Sequence, residues 1–230
     1  MPNYFPEPAV TMKDRFRGYL PVVIDVETAG FDCQKNALLE IGLCFLEFDE
    51  SGMLKVSEQM EFRVKPFEGA EINLESCAFI QIDPFDPNRQ AEEEKDVVKT
   101  MCKAVSFQVK KYNCKRAIIV AHNAHFDQGF ILKAIERCRY KRSPFHPFSC
   151  VDTAGLSALL YGQTVLSVAC EKAGIAYDNE KAHGALYDAS VTAELFCTMV
   201  NRFHDLMQLT ITASDNQNCN NTESQDKETT

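Results

Sequence analysis

The sequence predicts an α/β layered fold with a mixed β-sheet, and two observations carry that reading. The N-terminal third contains three consecutive apolar runs of strand length. The segments that follow alternate between helical and strand periodicity. A meander followed by such alternation layers helices on a sheet of mixed direction.

Residues 1–12, with Pro2, Pro6 and Pro8, read as a flexible arm ahead of a folded domain over 13–209. Tyr19 to Val26 is a β-branched apolar run, followed by Leu38 to Phe48 and Met60 to Lys65. Gly52 lies in the turn between the second and third runs, which makes the three an antiparallel meander. Asp83-Pro84 and Asp86-Pro87 break structure, and Ala91 to Lys111 then reads as a crossover helix. Its Val97, Val98, Met101, Cys102, Val105 and Val109 fall on one side.

Ala117 to Ala121 is a short buried strand, after which Phe130, Ile131, Ala134, Ile135 and Cys138 repeat at helical spacing. Pro147 to Val151 supplies a fifth strand. Thr164 is placed to cap a helix ending at Gly174, and Ala185 to Met207 forms a last long amphipathic helix. The remaining 210–230 is a polar tail expected to be disordered, and no internal repeat is present.

A chain of 230 residues and 25.9 kDa favours one domain, able to bury about 70% of its extended-chain surface. Hydrophobic and charged fractions of 45% and 25% exclude collagen-like, wholly disordered and coiled-coil chains. No two of the 10 cysteines lie closer than Cys33 and Cys44, so no CxxC knuckle exists. Cys44, Cys102, Cys138 and Cys197 sit among apolar neighbours, as small hydrophobes of a reducing compartment do. Without a secretory h-region or a membrane-length apolar run, the expected location is the cytoplasm, with no membrane partner.

The net charge of -9 at first argues against a nucleic-acid partner. The distribution softens that argument, because Asp215, Glu223, Asp226 and Glu228 against Lys227 put three of the excess negatives in the tail.

Asp25 and Glu27 interrupt the first apolar strand, and with period two both carboxylates project from one face at its carboxyl end. Such a pair is costly unless protonated or neutralised, and hard divalent ions prefer oxygen ligands. Read alone, the two are equally a strand running out into solvent. Asp127 follows the buried strand at the equivalent position, where a helix N-cap would be the plain alternative. His183 and Asp188 would stand about 140° apart if both were helical, which places His183 on the loop and Asp188 in the first turn of the last helix. Taken together, Asp25, Glu27, Asp127 and Asp188 offer the charge to hold two Mg²⁺, with Mn²⁺ as a substitute. An imidazole can act as a general base, which suits His183 to take the proton of an attacking water.

IDVETAGFD at 24–32, AHNAHFD at 121–127 and HGALYD at 183–188 resemble the three exonuclease motifs of the DEDDh superfamily. DRFRGYLPVVIDVETAGF at 14–31, IDP at 82–84, RSPFHPF at 142–148 and GQTVLSVAC at 162–170 are similar, within that group, to the ribonuclease T family. The resemblance spans roughly 14–205. It implies an RNase H-like three-layer fold with a five-stranded mixed sheet flanked by helices. It also implies Mg²⁺-dependent 3′–5′ removal of nucleotides from tRNA and other stable RNAs, and from single-stranded DNA. Asp25, Glu27, Asp127 and Asp188 would hold the metals and His183 would act as general base.

The same resemblance assigns base stacking to Phe31, Phe79, Phe126 and Phe148, and contact with the terminal base to Glu75. Without it, each phenylalanine reads as core. Stacking holds single strands without reading sequence, at about 1–3 kcal/mol per base. Arg15, Arg17, Lys110, Arg116 and Lys141 match the family's phosphate-binding segment, with Arg137, Arg139 and Arg142 nearby or on a solvated helix face. In the family that segment serves a partner subunit, which implies a homodimer. Asp152 is expected to play a supporting role near the site. Two other readings stand beside this one: a DNA proofreading-type exonuclease, and a catalytically silent module that binds RNA 3′ ends.

Overall fold

The computed structural model describes residues 11–203. The first ten residues of the expected arm, the 210–230 tail and the end of the last helix beyond 203 lie outside the described residues. Met12, the final residue of that arm, is buried in α1 (Met12–Arg15), whose cap is the Thr11 side chain.

The strands are β1 (Tyr19–Thr28), β2 (Leu38–Phe48), β3 (Leu54–Arg63), β4 (Arg116–Ala121) and β5 (Phe145–Asp152). They form one five-stranded sheet in the order β3-β2-β1-β4-β5. The first three make the expected antiparallel meander, and β4 and β5 join parallel to β1. The sheet is therefore mixed, with helices packed on it. β1 is buried along nearly its whole length because it lies in the middle with both faces covered.

β3 begins at Leu54 rather than Met60, since its exposed Lys55, Glu58 and Gln59 belong to an edge strand with one wet face. The helices between strands are α2 (Leu74–Phe79), α3 (Glu94–Lys111) and α4 (His125–Arg137). After β5 come α5 (Thr153–Tyr161), α6 (Leu166–Ala173) and α7, described over 185–203. The predicted apolar face of α3 is buried as expected.

Neither α2 nor α5 is marked by hydrophobic periodicity. Both carry exposed apolar residues, Leu74 and Phe79 on the first and Leu159 and Leu160 on the second. The N-cap of α6 is Val165, not Thr164, and no side chain caps it. The Thr164 carbonyl instead meets the His122 ring at 2.7 Å.

Cys44, Cys102 and Cys197 are buried as expected and Cys138 is partly exposed; the nine described cysteines are all unpaired. Burial pushes the Cys44 thiol up to about 11, which keeps it protonated and inert. Among the described residues no single helix is long and apolar enough to cross a membrane.

Candidate active site

The carboxylates gather where β1 outruns β4. The parallel ladder ends at the pair Val23 and Val120, so the Val26 N–H beyond it has no strand partner on that side. Asp127 supplies one, accepting that N–H at Oδ1 over 3.0 Å. Asp127 is the third residue of α4, whose N-cap is Ala124, so the capping reading gives way to an acid pinned between Asp25 and Glu27.

The fourth acid arrives from α7, which packs on the sheet face that carries Asp25. Asp188 lies in the first turn of α7, and its Oδ2 accepts the His183 backbone N–H at 3.0 Å. His183 sits on the preceding loop with φ 66, a left-handed conformation that a β-substituted residue adopts only when its surroundings hold it there. Ligand atoms of Glu27, His183 and Asp188 lie within 4.8 Å of one another.

Electrostatics mark the same cluster. Burial, then Asp127, Glu27 and Asp188, hold the Asp25 carboxyl well above the usual carboxylate range. Burial, with Asp188 and Glu40 next, raises Glu27 to about 8. Burial likewise raises Asp127 to about 8 despite the Val26 N–H, and raises Asp188. Among the described residues no Lys or Arg pairs with any of the four. A hard all-oxygen donor set with its negative charge uncompensated fits a divalent cation.

A cleft of about 370 Å³ opens beside Glu27 and His183, lined also by Phe31, Glu75, Phe79 and Phe126. Phe31 and Phe79 are 83% and 66% exposed, which no core residue would be. Gly30, at φ 146, turns the chain out toward Phe31, and a Cβ there would come 2.5 Å from the Asn36 side chain. Asn36 in turn donates to the Glu71 carbonyl, and the Asn73 N–H donates to the Ala29 carbonyl, so the segment leading to α2 is tied to the end of β1. Phe79 then packs on the His183 ring at 4.5 Å. Phe126 faces Phe31 at 6.3 Å and roots it to the core through Phe130. Phe148 is exposed on β5 against His146, apart from the residues lining this cleft.

The expected phosphate contacts collect at the opposite end of the parallel strands. Tyr19 pairs with Arg116 and Ala117 with Phe145; Arg15 ends α1, and Arg17 and Lys141 lie on the turns leading into those strands. Tyr19 and Asp25 are six steps apart along β1, about 20 Å at 3.3 Å per residue. Arg137 is engaged elsewhere, in a two-pronged pair with buried Glu94 at 2.6 and 2.9 Å and over the Phe67 ring. Arg139 and Arg142 are exposed.

Four further residues support the site, of which only Asp152 was expected from sequence. Asp152 has the supporting role expected of it, accepting from the Asn123 and Ala154 N–H groups and so fixing the loop before Asp127. His122 bridges Thr153 and Thr164, and the Tyr177 hydroxyl reaches Asp188 at 3.4 Å. Gly42, opposite Asp25, lets α7 approach the sheet. For Gly42 the available signal was a glycine inside a strand, which often marks a close approach.

A profile of the RNase T exonuclease family matches residues 22–196. The ribonuclease T of Shewanella oneidensis is 55% identical over 195 residues, covering 85% of this chain and 88% of that protein. The chain belongs to the ribonuclease T family. It is thereby a nuclease, a hydrolase of the exonuclease class. The ribonuclease T of Shewanella baltica strain OS155 is 53% identical over 206 residues, covering 90% of this chain and 92% of its own.

Solved structures agree on the fold. The nuclease domain of 3′hExo, a DEDDh family member bound to rAMP, superposes with TM-score 0.61 at 18% identity, over 79% of this chain and 92% of that one. Escherichia coli exonuclease I with a dT13 oligonucleotide gives 0.62 at 16% identity, over 84% of this chain but 44% of its own. The RNase H-like fold expected for the family is therefore the fold observed.

Proposed function

We propose that the protein is a metal-dependent 3′–5′ exoribonuclease that trims single-stranded 3′ ends of tRNA and other stable RNAs, and also degrades single-stranded DNA. The observation that carries this reading is the convergence of Asp25, Glu27, Asp127 and Asp188 beside a cleft with exposed phenylalanines. The relatives named ribonuclease T support RNA as substrate, and the bound dT13 of exonuclease I supports single-stranded DNA.

Asp25, Glu27, Asp127 and Asp188 would hold two Mg²⁺, or Mn²⁺ in their place. Bound there, such ions supply the positive charge that stabilises attacking and leaving oxygens of a phosphodiester. The protein's own part is positional. Phe31, Phe79 and Phe126 clamp the terminal bases, Phe148 meets the strand further along, and Glu75 contacts the last base at the cleft wall. His183, held against Phe79, accepts at a ring nitrogen the proton of the attacking water.

Arg15, Arg17, Lys110, Arg116 and Lys141 bind phosphates. Their distance from the carboxylates of the same chain supports a homodimer in which each subunit's basic edge serves its partner's site. The unpaired cysteines support a reducing, cytoplasmic setting. The decisive experiment incubates the protein and Mg²⁺ with 5′-labelled single-stranded RNA. A ladder shortening from the 3′ end is expected; intact RNA that shifts on a native gel would replace the enzyme with a binding module.

A further inference from the structure

Residues 97–126 contain six Lys or Arg and not one of the chain's 33 Asp and Glu. In a protein of net charge -9 that run is an anomaly, and α3 converts it into a surface. The helix buries Val97, Val98, Met101, Cys102, Val105 and Val109. At 100° per residue, Lys95, Lys99, Lys103 and Lys110 fall beside that buried face within an arc of about 80°, bordered by exposed Asp96 at the helix start and by Phe107, which is 67% exposed. None of these lysines forms an ion pair among the described residues. Like charges four residues apart weaken a helix, so the local fold gains nothing from the pattern.

We infer that this exposed ridge of α3 binds the phosphate backbone of the RNA body, the double-stranded stem next to the single-stranded end being trimmed. The inference rests on the exonuclease reading and adds a second contact to it. The ridge is straight, its lysines rise about 6–11 Å apart, and Lys95 to Lys110 spans about 22 Å, a shape matched to a rigid polyanion. The cleft at the carboxylates holds only a short single-stranded end, and the rest of a structured RNA must lie elsewhere. At its C-terminal end the ridge runs into the basic strand edge, where the Lys115 N–H donates to the Gly18 carbonyl at 2.7 Å, next to Arg17 and Arg116. Phe107 offers an apolar face for a sugar or an unpaired base.

The test uses the full chain and the double variant Lys99→Gln, Lys103→Gln, with a stem-loop RNA carrying a four-nucleotide 3′ tail. Binding is measured in EDTA, where no hydrolysis is needed, across a salt series. The variant should bind the stem-loop roughly tenfold more weakly, and the slope of log K against log salt should fall by about 1.4–1.8, two phosphates' worth. With Mg²⁺, KM for the same RNA should rise in parallel while kcat and trimming of a free tetranucleotide stay unchanged. An unchanged salt slope would overturn the inference. So would equal losses on the tetranucleotide, or a matching loss on anionic vesicles or polyglutamate, which would make the ridge a general anion surface. If the unaltered protein binds the stem-loop but never shortens it, the exonuclease reading fails and the ridge stands.

Discussion

Gly42 of β2 and Ala185 at the start of α7 meet with no room for a side chain between them. A Cβ on Gly42 would lie 2.5 Å from the Leu186 nitrogen and overlap the Ala185 carbonyl outright. Gly42 pairs with Asp25 across the sheet, and Asp188 lies one turn beyond Ala185. The glycine therefore sets how closely the fourth carboxylate approaches the other three.

Gly42→Ala should push the start of α7 away from the sheet and loosen the cluster. Overpacking of this kind costs about 1–3 kcal/mol of stability. The expected kinetic signature is a kcat at least tenfold lower and a higher Mg²⁺ requirement, with KM for RNA little changed. Gly155→Ala, where a Cβ meets nothing within 4 Å, is the control and should leave all three alone. Loss of RNA affinity in Gly42→Ala would instead mean that the fold as a whole had yielded.

The raised carboxylates predict how stability depends on pH. Glu27 and Asp127 titrate near 8 in the folded protein and near 4 when unfolded, so the folded state binds more protons between those values. Stability of the metal-free protein must then fall as pH rises from about 4 to 8. Thermal melts in EDTA should show Tm declining across this window. Mg²⁺ should raise Tm more at pH 8 than at pH 6, because at the lower pH it must displace protons. A flat Tm in EDTA would mean that the acids are not buried together.

Asp25→Asn tests the cluster with least disturbance to the fold, since it removes a charge and keeps the shape. Trimming should disappear while binding of single-stranded RNA survives, because the stacking surface is untouched. Tm in EDTA should rise at pH 8, as a buried like charge is gone. Retained trimming would remove Asp25 from the catalytic set.

Much of this arrangement could be read from the chain, and what could not has physical causes. Asp25 and Glu27 stand out because carboxylates are rare inside an apolar strand, and Leu38 to Phe48 because apolar composition has sharp ends there. β3 was legible only in its second half, since an edge strand with a wet face carries little apolar signal. α2 and α5 escaped because their apolar residues point outward. Composition cannot tell an exposed phenylalanine from a buried one, so Phe31 and Phe79 became distinct only once their 83% and 66% exposure was in view. Gly42 shows in sequence only as a glycine inside a strand, because the backbone it makes room for, at Ala185, is 143 positions away.

Phe31→Ala and Phe79→Ala should differ in kind. Each removes a stacking face worth about 1–3 kcal/mol, so KM should rise by roughly 5- to 150-fold. Phe79 also packs on His183 at 4.5 Å, whereas Phe31 touches only Phe126 among the described aromatic residues. Phe79→Ala should therefore lower kcat as well, and the Phe31 variant should leave kcat near its original value. Equal effects on kcat would mean that Phe79 does not hold the imidazole in place.

Arg15 and Arg137 make the last contrast, between a cation with no ion pair among the described residues and one already committed. Arg15→Ala should weaken RNA binding and reduce the salt slope by about 0.7, one single-strand phosphate. Arg137 is locked to buried Glu94 through two hydrogen bonds, at 2.6 and 2.9 Å. Removing it leaves a carboxylate buried without its partner, a loss of about 3–5 kcal/mol. Arg137→Ala should thus lower the urea midpoint sharply while the salt slope of the folded fraction stays where it was. Glu94→Gln with Arg137→Met, which removes both charges at similar volume, should recover most of that stability. A reduced salt slope in Arg137→Ala would instead place this arginine on the RNA.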